Sequence, residues 1–403
     1  MFTTKLDPVY EKKIRALEKH FRPHAKRSTN SLGRKNPISE DPFRTPFERD
    51  FHRVLHSLPF RRLKHKTQVF FSPKDDHICT RMEHSLHVSS ISSTVCKRLD
   101  LNATLAEAIA IAHDLGHPPF GHPGENAIRE TQTEYIEKHQ ANELPPFYHE
   151  AQSLRVIDCF QNKLHEPLNL TCEVRDGVVC HWGELNESSL KPQYDKDLDS
   201  VDITAARNQR PATIEGCVAR IADTISYLGR DFEDACMAGL ISQKDLPPDL
   251  HSALAPDDTK NINSQIIGTL INDLVDNSKK DNYLKFSDNV FSALETMKDF
   301  NYQKIYRHPK LIGQERRIYL ILNELFGYFS DILEDNTKFS KIMDEPQTDY
   351  PCGVFADFLK DMKYPSYTTY TDKAQIVTDF IVGMTDNFAL TCFEDLFYVK
   401  SII

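Results

Sequence analysis

Apolar residues recur at intervals of three and four along most of this chain, and that spacing leaves little room for a sheet. Phe47, Phe51, Val54, Leu55 and Leu58 form one such stripe. Ile318, Leu322, Leu325, Phe329 and Leu333 form a second, and Val377, Phe380, Ile381, Met384 and Phe388 a third. Each stripe covers one face of a 3.6-residue helix. Strict alternation is scarce, and TQVFF at 67–71 is the one segment that reads as a strand, within a short ribbon at most. The expected class is all-α. The apolar stretches are too short and too broken by charge to cross a membrane as a helix.

At 403 residues the chain exceeds one typical domain. Polar interruptions at 22–46, 187–212 and 253–264 suggest an arm at 1–40, a core at 41–240 and a C-terminal helical region at 241–403. Residues 1–40 carry ten Lys/Arg against four Asp/Glu, a charge of +6, whereas the rest carries −16. A basic arm on an acidic body is expected to be partly disordered and could meet single-stranded nucleic acid or an anionic effector. The acidic body argues against a protein that coats DNA. Nine cysteines with no CxxC pair exclude a zinc ribbon and a disulfide framework, and the N-terminal residues contain no apolar leader, so a cytoplasmic protein is expected. Neither GxGxxG nor GxxxxGK[ST] occurs, so phosphate chemistry would need tools other than a glycine-rich loop.

Histidine supplies such tools. Eight of the 17 histidines fall between His77 and His149. RMEHSLHV (81–88) opens a helix in which His84, Val88, Ile91 and Val95 share a face. In LNATLAEAIAIAHDLGHPPFGHPGEN (101–126) the apolar stripe Leu105, Ala108, Ile109 and Ala112 runs into His113 and Asp114, after which Gly116 and Pro118-Pro119 stop the helix. Imidazole and carboxylate at the end of a buried helix can bind a divalent cation. Far downstream, IEGCVARIADTISYLGRDFEDA (214–235) presents Asp223, Tyr227 and Asp231 on one face of an apolar helix. An acid so placed needs a partner, and a metal is one. A lone His-Asp pair is common on protein surfaces; the joint pattern of His84, His113-Asp114 and Asp223 around HDLGHPPFGH is not.

That pattern resembles the HD-domain metal phosphohydrolases. FRTPFERDFHRVLHSLPFRRLKHKTQVF (43–70), TRMEHSLHV (80–88), HDLGHPPFGHPGE (113–125), AQSLRVI (151–157), RIADTISYLGRD (220–231) and FNYQKIYRHP (300–309) narrow the resemblance to the bacterial deoxyguanosine triphosphate triphosphohydrolase family, over roughly residues 41–310. Residues 1–40 and 311–403 carry no motif of it.

The resemblance implies an HD-domain helical core with a C-terminal extension, and one divalent ion (Mn, Fe, Mg, Ni or Zn) held by His84, His113, Asp114 and Asp223. It implies that Arg81 contacts phosphate, that His117 and His122 stand beside the α-phosphate, and that Glu125 works with His122. His149 would lie near the polyphosphate, and Gln68, Tyr227 and Asp231 would hold the deoxyribose. Thr224 stands where related vertebrate enzymes have lysine, which unsettles the outer phosphate contacts. The implied reaction converts a dNTP to 2′-deoxynucleoside and tripolyphosphate, in a homo-oligomer that a dNTP effector could activate. His122 is the expected proton donor to the leaving 5′-oxygen, oriented by Glu125 at i+3. The competing expectations are an HD phosphohydrolase acting on another nucleotide, as a 5′-nucleotidase or phosphodiesterase, and a dNTP-sensing or nucleic-acid-binding protein.

Overall fold

The computed structural model describes residues 6–71, 77–139, 144–160, 167–182, 187–198, 209–257, 259–344, 350–362 and 372–399. Seventeen α-helices lie among them. The first eight are α1 (Pro8–Glu18), α2 (Pro46–Leu55), α3 (Leu58–Arg62), α4 (Arg81–Arg98), α5 (Ala103–Ala112), α6 (Gly121–His139), α7 (His149–Cys159) and α8 (Cys172–Val179). Next come α9 (Ile214–Met237), α10 (Pro248–Leu254), α11 (Ile262–Ser278) and α12 (Asp288–Asn301). The chain closes with α13 (Pro309–Glu334), α14 (Asn336–Asp344), α15 (Tyr350–Asp361), α16 (Lys373–Val382) and α17 (Asp386–Phe397). Two-residue strands, β1 (Ser189–Leu190) and β2 (Leu284–Lys285), pair antiparallel. The all-α expectation holds.

Local chemistry sets the helix starts. Thr80 and Glu83 form a reciprocal capping box at α4, and Asn102 and Thr213 cap α5 and α9 through their side-chain oxygens. Each such cap is worth about 1 kcal/mol. Packing does more. Ile221, Ile225 and Leu228 of α9 are fully or almost fully buried against Val88, Ile91 and Val95 of α4, and each fully buried aliphatic side chain contributes roughly 2 kcal/mol. A second apolar cluster joins α2, α5, α7 and α8. A third joins α6 to α13, α15, α16 and α17 and includes Phe120. α5 contributes to the first two clusters, and Phe120 of the third follows it in the chain.

Three expectations need correction. TQVFF is not a strand: Thr67 makes one isolated bridge with Thr80, because the segment is held by side chains from other helices. The stripe from Val377 to Phe388 is not one helix but two, α16 and α17, bent by 118° at Gly383–Thr385. Residues 6–40 are no loose arm. Ala25 lies in the first apolar cluster, Lys26 Nζ pairs with Glu173 at 2.9 Å, and Arg34 pairs with buried Asp50. No single helix among the described residues is long and apolar enough to cross a membrane.

Candidate metal centre

Three elements converge on one buried volume. α4 brings His84 and Arg81, the end of α5 brings His113 and Asp114, and α9 brings Asp223. Nε2 of His84 is 2.9 Å from Asp223 Oδ1 and 4.0 Å from Asp114 Oδ2; Nε2 of His113 is 3.4 Å from Asp114 Oδ1 and 3.9 Å from Asp223 Oδ1. Asp223 therefore meets imidazole in mid-helix and, among the described residues, no arginine. Asp114 also accepts a 2.8 Å hydrogen bond from Arg81 Nη1.

The outward nitrogens of both imidazoles are already spoken for. His113 Nδ1 lies 2.6 Å from the Ala110 carbonyl, to which it donates. Ser226 gives its own proton to the Asp223 carbonyl at 2.9 Å and accepts from His84 Nδ1 at 3.1 Å. With Nδ1 donating outward in both rings, Nε2 is the atom that each ring turns toward the carboxylates and the one that would ligate a metal. His113 Nε2 is buried and, among the described residues, has no hydrogen-bond partner. Two inward imidazole Nε2 atoms and two carboxylates are a donor set that a divalent cation fits, the His84 proton leaving Nε2 when one binds. Electrostatics agrees. Burial opposes the Asp114 anion, yet His113 and Arg81 keep its carboxyl well below the usual range. Asp223, likewise opposed by burial, is brought down to about 2 by its bond to His84.

A row of imidazoles borders this centre. Gly116 makes the turn after α5 so close to α7 that a Cβ there would stand 2.1 Å from the Ser153 amide. Ser153 returns the contact, accepting from Gly116 N and donating to the His113 carbonyl. His117 is buried, stacks on His149 with ring centroids 4.1 Å apart, and neither ring nitrogen finds a partner among the described residues. Burial and then Arg81 and His149 drive its pKa well below that of free histidine, so it is neutral. His122 sits in the first turn of α6 with 67% of its side chain exposed.

Glu125 does not serve His122 first. Its Oε2 is 2.9 Å from His149 Nδ1 and 3.5 Å from His122 Nδ1, and its Oε1 takes Arg129 at 3.0 Å. Burial disfavours the His149 cation, but Glu150 and Glu125 outweigh it and lift the pKa to about 9. His149 is charged.

The expected sugar-binding residues are spread more widely. Gln68 is partly buried, and its Oε1 has no partner among the described residues. Tyr227 packs against the α4–α9 cluster. Asp231 is buried and accepts a 2.6 Å bond from the Tyr306 hydroxyl, in a π-helical turn after α12. Burial raises Asp231 to about 7, although the Tyr306 bond pulls the other way. Thr224 is buried.

Three residues at the site escaped sequence reasoning. His181 follows α8, with Nε2 3.3 Å from His149 Nε2 and its ring 5.0 Å from that of His113. Burial, with His113 and His149 next to it, lowers its pKa to about 3. A lone His after an apolar helix offered no signal. Tyr306 lay in a noticed motif without a role, and Ser226 was one polar residue in an apolar helix.

Comparison with known proteins adds an independent line. The HD domain family matches residues 81–228, and the phosphohydrolase-associated domain family matches residues 284–395. The chain is 35% identical over 384 residues to a deoxyguanosinetriphosphate triphosphohydrolase-like protein of Desulfatibacillum aliphaticivorans, covering 94% of this chain and 95% of that protein. It is 31% identical over 375 residues to a protein of the same description from Caldanaerobacter subterraneus subsp. tengcongensis, covering 93% and 91%. A third such protein, from Paracoccus denitrificans, is 30% identical over 406 residues, covering 91% and 97%. The second family match extends through residues 311–395, where the sequence offered no motif.

Proposed function

Because the chain belongs to the HD-domain family of deoxyguanosinetriphosphate triphosphohydrolase-like phosphohydrolases, we propose that it hydrolyses deoxynucleoside triphosphates, dGTP among them, to a 2′-deoxynucleoside and inorganic tripolyphosphate. The observation that carries this reading is the charged and neutral imidazole row beside a buried His/Asp set. His84, His113, Asp114 and Asp223 would hold one divalent ion. When bound, that ion supplies charge neutralisation at the α-phosphate and an activated or oriented water.

The protein's own groups do the rest. Arg81 offers a fixed guanidinium to phosphate oxygens, and charged His149 adds a second cationic donor. Holding a polyphosphate in line is the largest part of phosphoryl-transfer catalysis. Neutral His117 can accept or donate from either nitrogen. His122, the most exposed of the row, reaches toward solvent where a leaving nucleoside would depart, and is assigned the proton transfer to the 5′-oxygen. Gln68, Tyr227 and Asp231 would take the deoxyribose, with Tyr306 fixing the Asp231 carboxyl. A homo-oligomer answering to a dNTP effector goes with this reading.

A second reading rests on one observation. Asp114, His149 and His181 bring ligand-type atoms within 4.8 Å of one another, which would suit a second ion and a phosphodiesterase acting on another nucleotide. The first reading is preferred because His149 already donates Nδ1 to Glu125 and is held protonated by two carboxylates. Product analysis decides between them. With each of the four dNTPs and GTP, in Mn²⁺ or Mg²⁺, tripolyphosphate with one ion per chain is expected. A monophosphate or pyrophosphate product with two ions per chain would replace the first reading by the second.

A further inference from the structure

α17 begins with Asp386, and an acid there would be expected to face its own helix N-terminus, where a carboxylate is welcome. It does not. The cap of α17 is made by Thr385, and Asp386 is buried. Its Oδ2 accepts from the backbone N–H of Thr67 at 2.9 Å and from the Thr67 hydroxyl, while its Oδ1 accepts from the backbone N–H of Phe120 at 2.9 Å. One carboxylate from the C-terminal region therefore ties together two segments 53 residues apart, one carrying Gln68 and the other running from His117 to His122.

Two further facts single out this contact. Phe120 has φ +67°, in the left-handed region that a bulky aromatic residue rarely occupies. The neighbouring Gly121, at φ +64°, lets the Gln68 carbonyl approach to 3.1 Å of where a Cβ would be. Such a backbone persists only when its surroundings over-determine it. Lys66 completes the arrangement. Its buried Nζ donates to the His117 carbonyl at 2.5 Å and to the Val382 carbonyl, at the end of α16, at 2.6 Å. Lys66 thus joins the end of α16 to the His117 loop, beside the tie that Asp386 makes from the start of α17.

We propose that Asp386, assisted by Lys66, is a positioning residue for the active site: it locks the 117–122 loop to the 66–68 segment, so that the imidazoles facing the phosphate and the Gln68 amide facing the sugar keep one fixed spacing. The proposal rests on the dNTP hydrolysis reading above. A displacement of about 1 Å at such groups costs on the order of 100-fold in rate.

The test uses the full-length, metal-loaded protein. In Asp386→Asn one of the two acceptors becomes an N–H₂, which faces a donor whether it points at Thr67 or at Phe120, so one side of the tie opens. Expected are normal metal content, a kcat for dGTP lower by about 10- to 100-fold, and a smaller preference for dGTP over GTP. A merely structural role would lower the melting temperature and leave kcat and sugar preference per folded molecule unchanged. Should Asp386→Asn fail to fold, Thr67→Val removes one of the three bonds and is expected to reduce sugar preference alone, with Thr67→Ser restoring it. Kinetic constants within twofold of wild type in Asp386→Asn, or in Thr67→Val if only that variant folds, would overturn the proposal. Amide hydrogen exchange at Thr67 and Phe120 separates the two levels. A wild-type protein that hydrolyses no dNTP sinks the functional reading, whereas the tie itself stands or falls on slow exchange at these two amides in wild type and faster exchange in the variant.

Discussion

Glu125 Oε2 accepts a 2.9 Å hydrogen bond from Nδ1 of His149, a residue 24 positions further along the chain. His122, three residues away on the same helix, gets the looser contact at 3.5 Å. One buried acid thus divides itself between two imidazoles. Their electrostatic effect is large: although burial opposes its ionisation, His149 and then His122 keep Glu125 well below the ordinary carboxyl range.

The division changes what the two obvious substitutions should do. His122→Ala is expected to keep metal and dNTP affinity and to lose about 10²- to 10⁴-fold in kcat. Glu125→Ala should raise KM as well, because His149 loses a partner that holds its charge against the triphosphate. Single-turnover rates and equilibrium binding on the same preparations read both effects. A His122→Ala protein with near wild-type kcat per folded molecule would remove that residue from the mechanism.

Metal retention offers a check that does not depend on turnover. Asp114→Ala should lose bound metal and activity together. Ser226→Ala should fold normally yet bind metal about tenfold more weakly, since the hydroxyl that sets the His84 tautomer is gone. Metal content after dialysis against graded chelator measures it; equal retention in Ser226→Ala and wild type would show that the tautomer is set by something else.

Asp231 gives a pH signature. Burial raises its folded pKa to about 7, above the value of an exposed aspartate, so the folded state holds a proton that the unfolded chain releases near pH 4. This group's contribution to stability is therefore full at low pH and declines as pH rises from about 4 toward 7. If the carboxylate accepts the sugar 3′-hydroxyl, KM for dGTP should fall as pH rises through about 7. Tyr306 donates to the ionised form, so Tyr306→Phe should move that limb to higher pH. A KM limb unmoved in Tyr306→Phe, or one equally present in Asp231→Asn, would exclude Asp231 as its source.

Gly116→Ala tests the turn that carries His117. Its Cβ would lie 2.1 Å from the Ser153 amide and 2.4 Å from the Gln152 carbonyl carbon, backbone on both counts. Neither can yield cheaply, and a destabilisation of about 3 kcal/mol is expected. Chemical denaturation reads it directly.

Much of this architecture was legible because helices write their buried face into local spacing. The stripes beginning at His84, Leu105 and Ile318 each became one helix, the one beginning at Phe47 became α2 with its last member opening α3, and the apolar run ending at His113-Asp114 was the strongest single pointer to the site. What could not be read were contacts between residues far apart in sequence. Nothing local distinguishes His181 from a surface histidine, or Asp386 from an ordinary first-turn acid. The Val377–Phe388 stripe keeps helical spacing through Gly383 even though the backbone turns there, because periodicity reports burial and not continuity. Spacing also suggested that Glu125 belongs to His122, whereas a closer partner arrives on α7.

The inward-facing cations of the N-terminal segment bear on how this chain meets other molecules. Arg22 donates to the carbonyls closing α11, Lys26 neutralises buried Glu173, and Arg34 reaches Asp50 and the Asn169 carbonyl. The Lys26 amide and that of Asn102 also serve Glu215, a fully buried acid whose pKa burial raises to about 7. Charge counted along the sequence is therefore not charge displayed to the solvent. The exposed cations among the segment's described residues are Lys12, Lys13, Arg15 (paired with Glu11), Lys19 and Lys35, half of the ten that the sequence counts. Cutting the chain before residue 41 would leave buried Glu173 without Lys26 and Glu215 with only one of its two amide donors, so the segment behaves as a keystone of the body rather than as its antenna.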